Sequence, residues 1–135
     1  MTSKQVKNSK SYAKAESKAK QYAKDPEKLK KLVDKASEYS QKASKGPFGE
    51  SWAYLMAMIR LIQAYYNGTY RKIPTGSLIT ILLAVIYVIN PFDLIPDVIP
   101  IIGQADDALV VSVALAQVRA DLDEFMEWEL KENRT

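Results

Sequence analysis

The stretch LITILLAVIYVI, residues 78–89, runs directly into NPFDLIPDVIPIIGQADD, residues 90–107. The first part has no charged residue, whereas the second part holds four Asp and three Pro. Proline is not tolerated in a helix interior, because it lacks a backbone donor and clashes with the preceding turn. Residues 78–89 and a last segment, from 105 to about 130, therefore predict two helices joined by an elbow of Asp and Pro.

The residues before this hairpin predict three further helices. Residues 10–24 place apolar side chains at helical spacing, and a second helix is expected to begin with Asp25 as N-cap and Pro26 in its first turn. A third helix is predicted over 51–66, followed by a loop over 67–77 that is rich in turn residues. The fold class is therefore all-α: a small helical bundle with a central apolar helical hairpin, preceded by a basic N-terminal helical hairpin.

Charge is distributed unevenly along the chain. Residues 1–45 hold thirteen Lys and five acidic residues, a net charge of +8, whereas the remaining ninety residues carry a net charge of −5. We divide the chain into a Lys-rich helical region, 1–46, and an apolar helical core, 47–135. A basic arm suggests an anionic partner, either a membrane surface or an acidic protein. The alternative is a solvated helical face that pairs with the acidic half. The arm contains no Arg and lacks a base-stacking platform, so no specific nucleic acid is expected.

The absence of His and Cys excludes several kinds of site. Nucleophile pairs that depend on His, and zinc sites that use His or Cys, cannot be built from this chain. The sequence also has no Gly-rich phosphate loop, nucleophile elbow or dinucleotide fingerprint. We therefore predict no catalytic residue and no organic cofactor, and a non-enzymatic role is favoured over an enzymatic one.

The apolar hairpin raises the question of membrane insertion. Residues 78–89 make a helix of about 18 Å, which is shorter than the bilayer hydrocarbon core of about 30 Å. A straight span extended to residue 102 would bury two Asp, at about 2.5–3.5 kcal/mol for each charge at the bilayer centre. A shallow hairpin with residues 78–89 and 108–118 as its arms costs less. The alternative is a water-soluble bundle whose other helices wrap the hairpin.

Aromatic and basic residues flank the first arm. Tyr65, Tyr66 and Tyr70 precede Arg71 and Lys72, which is the order of an interfacial aromatic belt beside a cytoplasmic basic pair. We expect membrane association on the cytoplasmic side, with a purely cytoplasmic location as the alternative. The oligomeric state is not predicted.

The four elbow aspartates, Asp93, Asp97, Asp106 and Asp107, are the candidate functional residues. Between Lys72 and Arg119 there is no Lys, Arg or His to balance them. An Asp at a helix start can act as a cap, and this explains one or two of the four. The others need an Arg folded in from elsewhere, a shared proton or a bound cation. Four carboxylates would suit Mg²⁺, Ca²⁺ or Mn²⁺, so the four are candidate metal ligands.

The elbow also supports a family resemblance. Tyr87, the run Asn-Pro-Phe-Asp-Leu-Ile-Pro-Asp at 90–97, Ile-Pro at 99–100, Gly103 and the Asp pair at 106–107 resemble the YkvA-like bacterial family, a domain of unknown function. The resemblance covers residues 68–118. It implies a small helical protein that is embedded in or associated with a membrane. It supplies no reaction, substrate or cofactor.

These observations favour a non-enzymatic, membrane-associated structural or adaptor protein. One alternative is a soluble cation-binding module or metal-dependent enzyme centred on the four aspartates. A second alternative is a soluble helical bundle that binds a protein partner.

Overall fold

The computed structural model describes residues 10–43, 46–89 and 107–133 of the chain. These residues form five α-helices and one short 3-10 helix, so the predicted all-α class is confirmed for them. The elements are α1 (Lys10–Lys24), α2 (Pro26–Lys42), the 3-10 helix (Gly46–Ser51), α3 (Trp52–Asn67), α4 (Thr75–Ile89) and α5 (Asp107–Asn133).

Helices α1 and α2 form the basic N-terminal hairpin that the sequence predicts. The Asp25 side chain caps α2, accepting hydrogen bonds from the backbone N–H groups of Glu27 and Lys28 at 3.0 and 3.3 Å. Pro26 occupies the first turn, where a missing N–H costs nothing. The predicted N-cap is therefore confirmed.

The hairpin packs on the rest of the bundle through a narrow apolar stripe. Ala19 of α1 is fully buried, and α2 buries Leu29, Leu32 and Ala36. These side chains lie in the same hydrophobic core as those of α3, α4 and α5. The predicted division of the chain at residue 46 stays a prediction.

Helix α3 ends at a glycine that takes a left-handed backbone conformation. Gly68 has a φ of 82°, and its N–H donates to the carbonyls of Ala64 and Tyr65. A residue with a side chain is strained in this conformation, whereas glycine is not. The cap directs the chain into the short loop that leads to α4.

Helix α4 begins earlier than the sequence predicts. The predicted loop extended to residue 77, but α4 starts at Thr75, and the N–H of Leu78 donates to the carbonyl of Pro74 at 3.0 Å. The hydroxyl of Ser77 donates to the carboxylate of Asp121 on α5. This contact between two helices fixes a first turn that local turn propensity alone did not indicate.

The central element of the described structure is α4. It packs against α1, α2, α3 and α5. Because other helices surround it, nearly all of its side chains are buried; the buried set comprises Leu78, Ile79, Ile81, Leu82, Leu83, Ala84, Val85, Ile86, Tyr87 and Val88. Helix α4 is thus apolar on every face because every face meets protein.

Helix α5 crosses both α3 and α4 and carries the acidic half of the chain. Its buried side chains include Val111, Val118 and Phe125. Phe125 and Trp128 form an aromatic cluster with Tyr70, whose ring centre lies 5.0 Å from each of theirs.

Tyr70 therefore does not lie where the aromatic belt requires it. Only 5% of its surface is exposed, because its ring enters the core beneath α5. The belt prediction is wrong for this residue. Tyr65 and Tyr66 are half-buried. A hydrophobic contact with α5 provides for Tyr70 the apolar environment that the prediction assigned to a bilayer.

Candidate functional site

Most of the predicted aspartate site lies outside the described residues. Asp93, Asp97 and Asp106 fall in the segment between α4 and α5, and Asp107 is described only as the first residue of α5. Within the described residues, no group of three or more acidic side chains is arranged to hold a metal ion. The cation site at the four aspartates therefore stays a prediction.

Three of the cations considered as partners for the aspartates contact other groups. Arg60 of α3 makes a two-pronged ion pair with Glu129 of α5, with N–O distances of 2.7 and 3.1 Å. Arg119 donates to the hydroxyl of Tyr54 at 3.4 Å. This hydrogen bond raises the pKa of Arg119 above its usual value. The guanidinium of Arg71 lies over the Tyr65 ring, 4.3 Å from its centre.

The Arg60–Glu129 pair ties α3 to α5 at the protein surface. The Arg60 side chain is 45% exposed and that of Glu129 is 22% exposed. Ion pairs with this degree of exposure contribute about 0.2–1 kcal/mol. Their two-pronged geometry adds orientation to that modest energy. We therefore assign this pair a structural role.

The exposed lysines of α1 and α2 form the most strongly charged surface of the described structure. We call this set the lysine surface. Its members project from the two helices that cover one side of α4: Lys20, Lys24, Lys28, Lys30, Lys31, Lys35 and Lys42. Two of them, Lys20 and Lys42, lie 3.5 and 3.8 Å from acidic side chains of the same helix. These pairs are exposed and therefore weak.

A cleft lies at the edge of this surface, between α1, α3 and the start of α4. Lys20, Lys24 and Arg71 line it, together with apolar side chains that include Ile73, Leu78 and Ile79. We call it the basic cleft. The sequence analysis missed it because its cations lie up to 51 positions apart in the chain. Only the packing of α1 on α4 brings them to one place.

Burial and nearby carboxylates affect one tyrosine of the core. Burial raises the pKa of Tyr70, and the negative charges of Glu124 and Asp121 raise it further. The neutral phenol is therefore the form that the folded chain favours. A buried, neutral tyrosine in an aromatic cluster fits a packing role.

Comparison with known proteins gives two matches. Residues 77–113 match the family model described as "Protein of unknown function (DUF1232)". The chain is also 27% identical over 78 residues to "Uncharacterized membrane protein YkvA" of Bacillus subtilis strain 168. That alignment covers 58% of this chain and 74% of the relative. The YkvA-like resemblance is confirmed.

The region matched by the family model includes most of α4, the elbow and the start of α5. This YkvA-like segment therefore combines the buried central helix with the candidate aspartates. No solved structure matches the chain. In the three described ranges, no helix combines the length and the apolar character that crossing a membrane requires.

Proposed function

We propose that this YkvA-like chain is a non-enzymatic, membrane-associated protein that attaches to anionic lipid through its lysine surface. The observation that carries the proposal is the division of labour between helices. Helix α4, the most apolar element, is enclosed by four other helices. The surface that α1 and α2 present is rich in exposed lysine. Attachment at the surface thus needs no rearrangement of the described core.

The charge of these helices sets the strength of the attachment. Residues 10–42 hold ten Lys and five acidic residues, a net charge of +5. A basic residue close to an anionic bilayer contributes about 1 kcal/mol. Five net charges therefore supply about 5 kcal/mol, which corresponds to a dissociation constant between about 1 mM and 1 µM. Such binding is reversible and sensitive to salt.

Two further considerations support the proposal. The Bacillus subtilis relative is named a membrane protein. The cytoplasmic leaflet carries the anionic lipids in cells that sort them, so a lysine surface favours the cytoplasmic side. On this proposal the chain acts as a structural or adaptor protein, because α3 and α5 remain available on the side away from lipid.

Co-sedimentation with lipid vesicles tests the proposal. The purified chain is mixed with phosphatidylcholine vesicles that contain or lack 30% phosphatidylglycerol, at low and high salt. We expect binding to the anionic vesicles alone, and we expect high salt to abolish it. The double variant Lys30→Gln/Lys31→Gln should weaken binding about tenfold or more, since each lysine contributes about 1 kcal/mol.

The matched control is Gln41→Ala, an uncharged change at an exposed position of α2. It should leave vesicle binding unchanged. Equal binding to vesicles with and without anionic lipid would overturn the proposal, and so would binding that high salt leaves intact. No binding to anionic vesicles at low salt would also overturn it.

A further inference from the structure

The basic cleft combines positive charge with an apolar wall. Its volume is about 660 Å³, within the range of about 300–1,000 Å³ that is usual for small-molecule sites. Lys20 and Lys24 lie one helical turn apart on α1, and Arg71 precedes α4. The cleft therefore brings together cations from two separate parts of the chain.

The charges of the cleft favour an anion. Among the described residues, no carboxylate lines it. The nearest recorded acidic partner is Glu16, 3.5 Å from Lys20 in a pair whose side chains are 58% and 42% exposed. An exposed pair of this kind is readily exchanged for a stronger partner. Lys24 and Arg71 are both exposed and open to a ligand.

Arg71 is the residue best placed to recognise phosphate. Stacking on Tyr65 restrains its guanidinium, so less side-chain freedom is lost when the group binds. A guanidinium donates two parallel hydrogen bonds to phosphate oxygens, whereas a lysine acts as a point charge. Together with Lys20 and Lys24, it provides an arrangement that suits a phosphate monoester or diester.

The apolar wall distinguishes a lipid from a free phosphate ion. Ile73 is half-buried beside the cations, and Leu78 and Ile79 form the wall at the start of α4. A small inorganic anion gains nothing from such side chains, whereas the first methylene groups of an acyl chain gain about 0.8 kcal/mol each when buried. The wall lies directly beside the three cations.

From this juxtaposition we propose that the basic cleft binds one anionic phospholipid. The lipid phosphate contacts Lys20, Lys24 and Arg71, and the start of an acyl chain lies against Ile73, Leu78 and Ile79. This inference rests on the proposed function and deepens it, since the lysine surface brings the chain to the bilayer and the cleft then selects a headgroup.

Titration with a soluble, short-chain lipid tests the cleft without a bilayer. Dihexanoyl phosphatidic acid, kept monomeric, is added to the full chain, and the backbone amide resonances of Thr75 and Ile79 are followed by NMR. We expect saturable shifts at these two residues. Dihexanoyl phosphatidylcholine should bind at least tenfold more weakly, because its headgroup carries no net charge.

A pair of variants with equal loss of charge separates the cleft from general attraction. Lys24→Gln/Arg71→Gln should weaken binding of the short-chain lipid about tenfold or more, through loss of charge-assisted contacts. Lys30→Gln/Lys31→Gln removes the same charge outside the cleft and should change it less than twofold. Circular dichroism of both variants checks that they fold.

Each outcome decides between the two proposals. Equal weakening by the two variants, or no shift at Thr75 and Ile79, would refute the cleft and leave vesicle binding unaffected as a claim. Saturation by inorganic phosphate at the same concentration would show a phosphate site and refute the lipid assignment. Short-chain lipid binding without vesicle binding would retain the cleft and refute the proposed attachment.

Discussion

The enclosure of α4 predicts that truncating its side chains destabilises the protein in every direction around the helix. Ile81, Leu82 and Leu83 are consecutive, so their side chains point about 100° apart around the axis. They are 0%, 0% and 5% exposed. Replacing each in turn with alanine therefore tests three faces of one helix.

The magnitude follows from the burial of these side chains. Truncation of a fully buried Leu or Ile to Ala removes transfer free energy and leaves a cavity, and it costs about 2–5 kcal/mol. A domain of this size is stable by about 5–15 kcal/mol, so most variants should still fold. With a urea dependence of about 2 kcal/mol per molar, a loss of 3 kcal/mol lowers the midpoint by about 1.5 M.

The assay is urea unfolding of the purified chain, followed by circular dichroism. Leu130→Ala is the matched control, since Leu130 is 59% exposed on α5 and its truncation should change stability by less than about 0.5 kcal/mol. We expect all three α4 variants to lose at least about 2 kcal/mol. A loss below about 1 kcal/mol at any one of them would refute the claim that protein covers that face.

Three further predictions concern single side chains. Asp25→Ala should cost about 1 kcal/mol and Asp25→Asn almost nothing, as measured by urea unfolding, because Asn caps as well as Asp; equal losses would contradict the capping role. Tyr70 has a raised pKa, so its stabilising effect is present below the usual tyrosine pKa of about 10 and is lost as the pH rises. The unfolding midpoint should therefore fall above that pH more steeply than in Tyr70→Phe, and parallel curves would contradict this. If the elbow binds a cation, Mn²⁺ should raise the melting temperature of the natural chain and not of Asp97→Asn or Asp106→Asn; no rise in the natural chain would contradict the metal prediction.

The features that follow from local chemistry could be predicted from the sequence. The Asp25 cap and Pro26 fix the start of α2 because both act within one turn. The uncharged run 78–89 predicted a helix, and α4 contains it. Apolar periodicity likewise predicted α3 to within one residue at each end.

The features that depend on contacts between distant residues could not be predicted. Tyr70 was interpreted as an interfacial aromatic, but it packs on Phe125, 55 positions further along the chain. The early start of α4 reflects the bond from Ser77 to Asp121. The basic cleft is of the same kind, since Lys24 and Arg71 meet only after α1 packs on α4.

The candidate aspartates were found by a different signal, an excess of acidic residues in an apolar segment. Burial and charge balance led to caps, an Arg partner or a cation as explanations. Arg60, Arg71 and Arg119 each contact another group in the described structure. The sequence thus identifies the residues to mutate, and the Mn²⁺ experiment distinguishes the explanations.

The central claim is that the lysine surface, and not the apolar hairpin, holds this chain at a membrane. Fractionation of cells that express the untagged protein tests it most directly, with the membrane pellet washed first with salt and then with carbonate. The account predicts that the protein sediments with membranes at low salt and is released by the salt wash. Retention through both washes would contradict it, because the hairpin itself would then be the part that enters the bilayer.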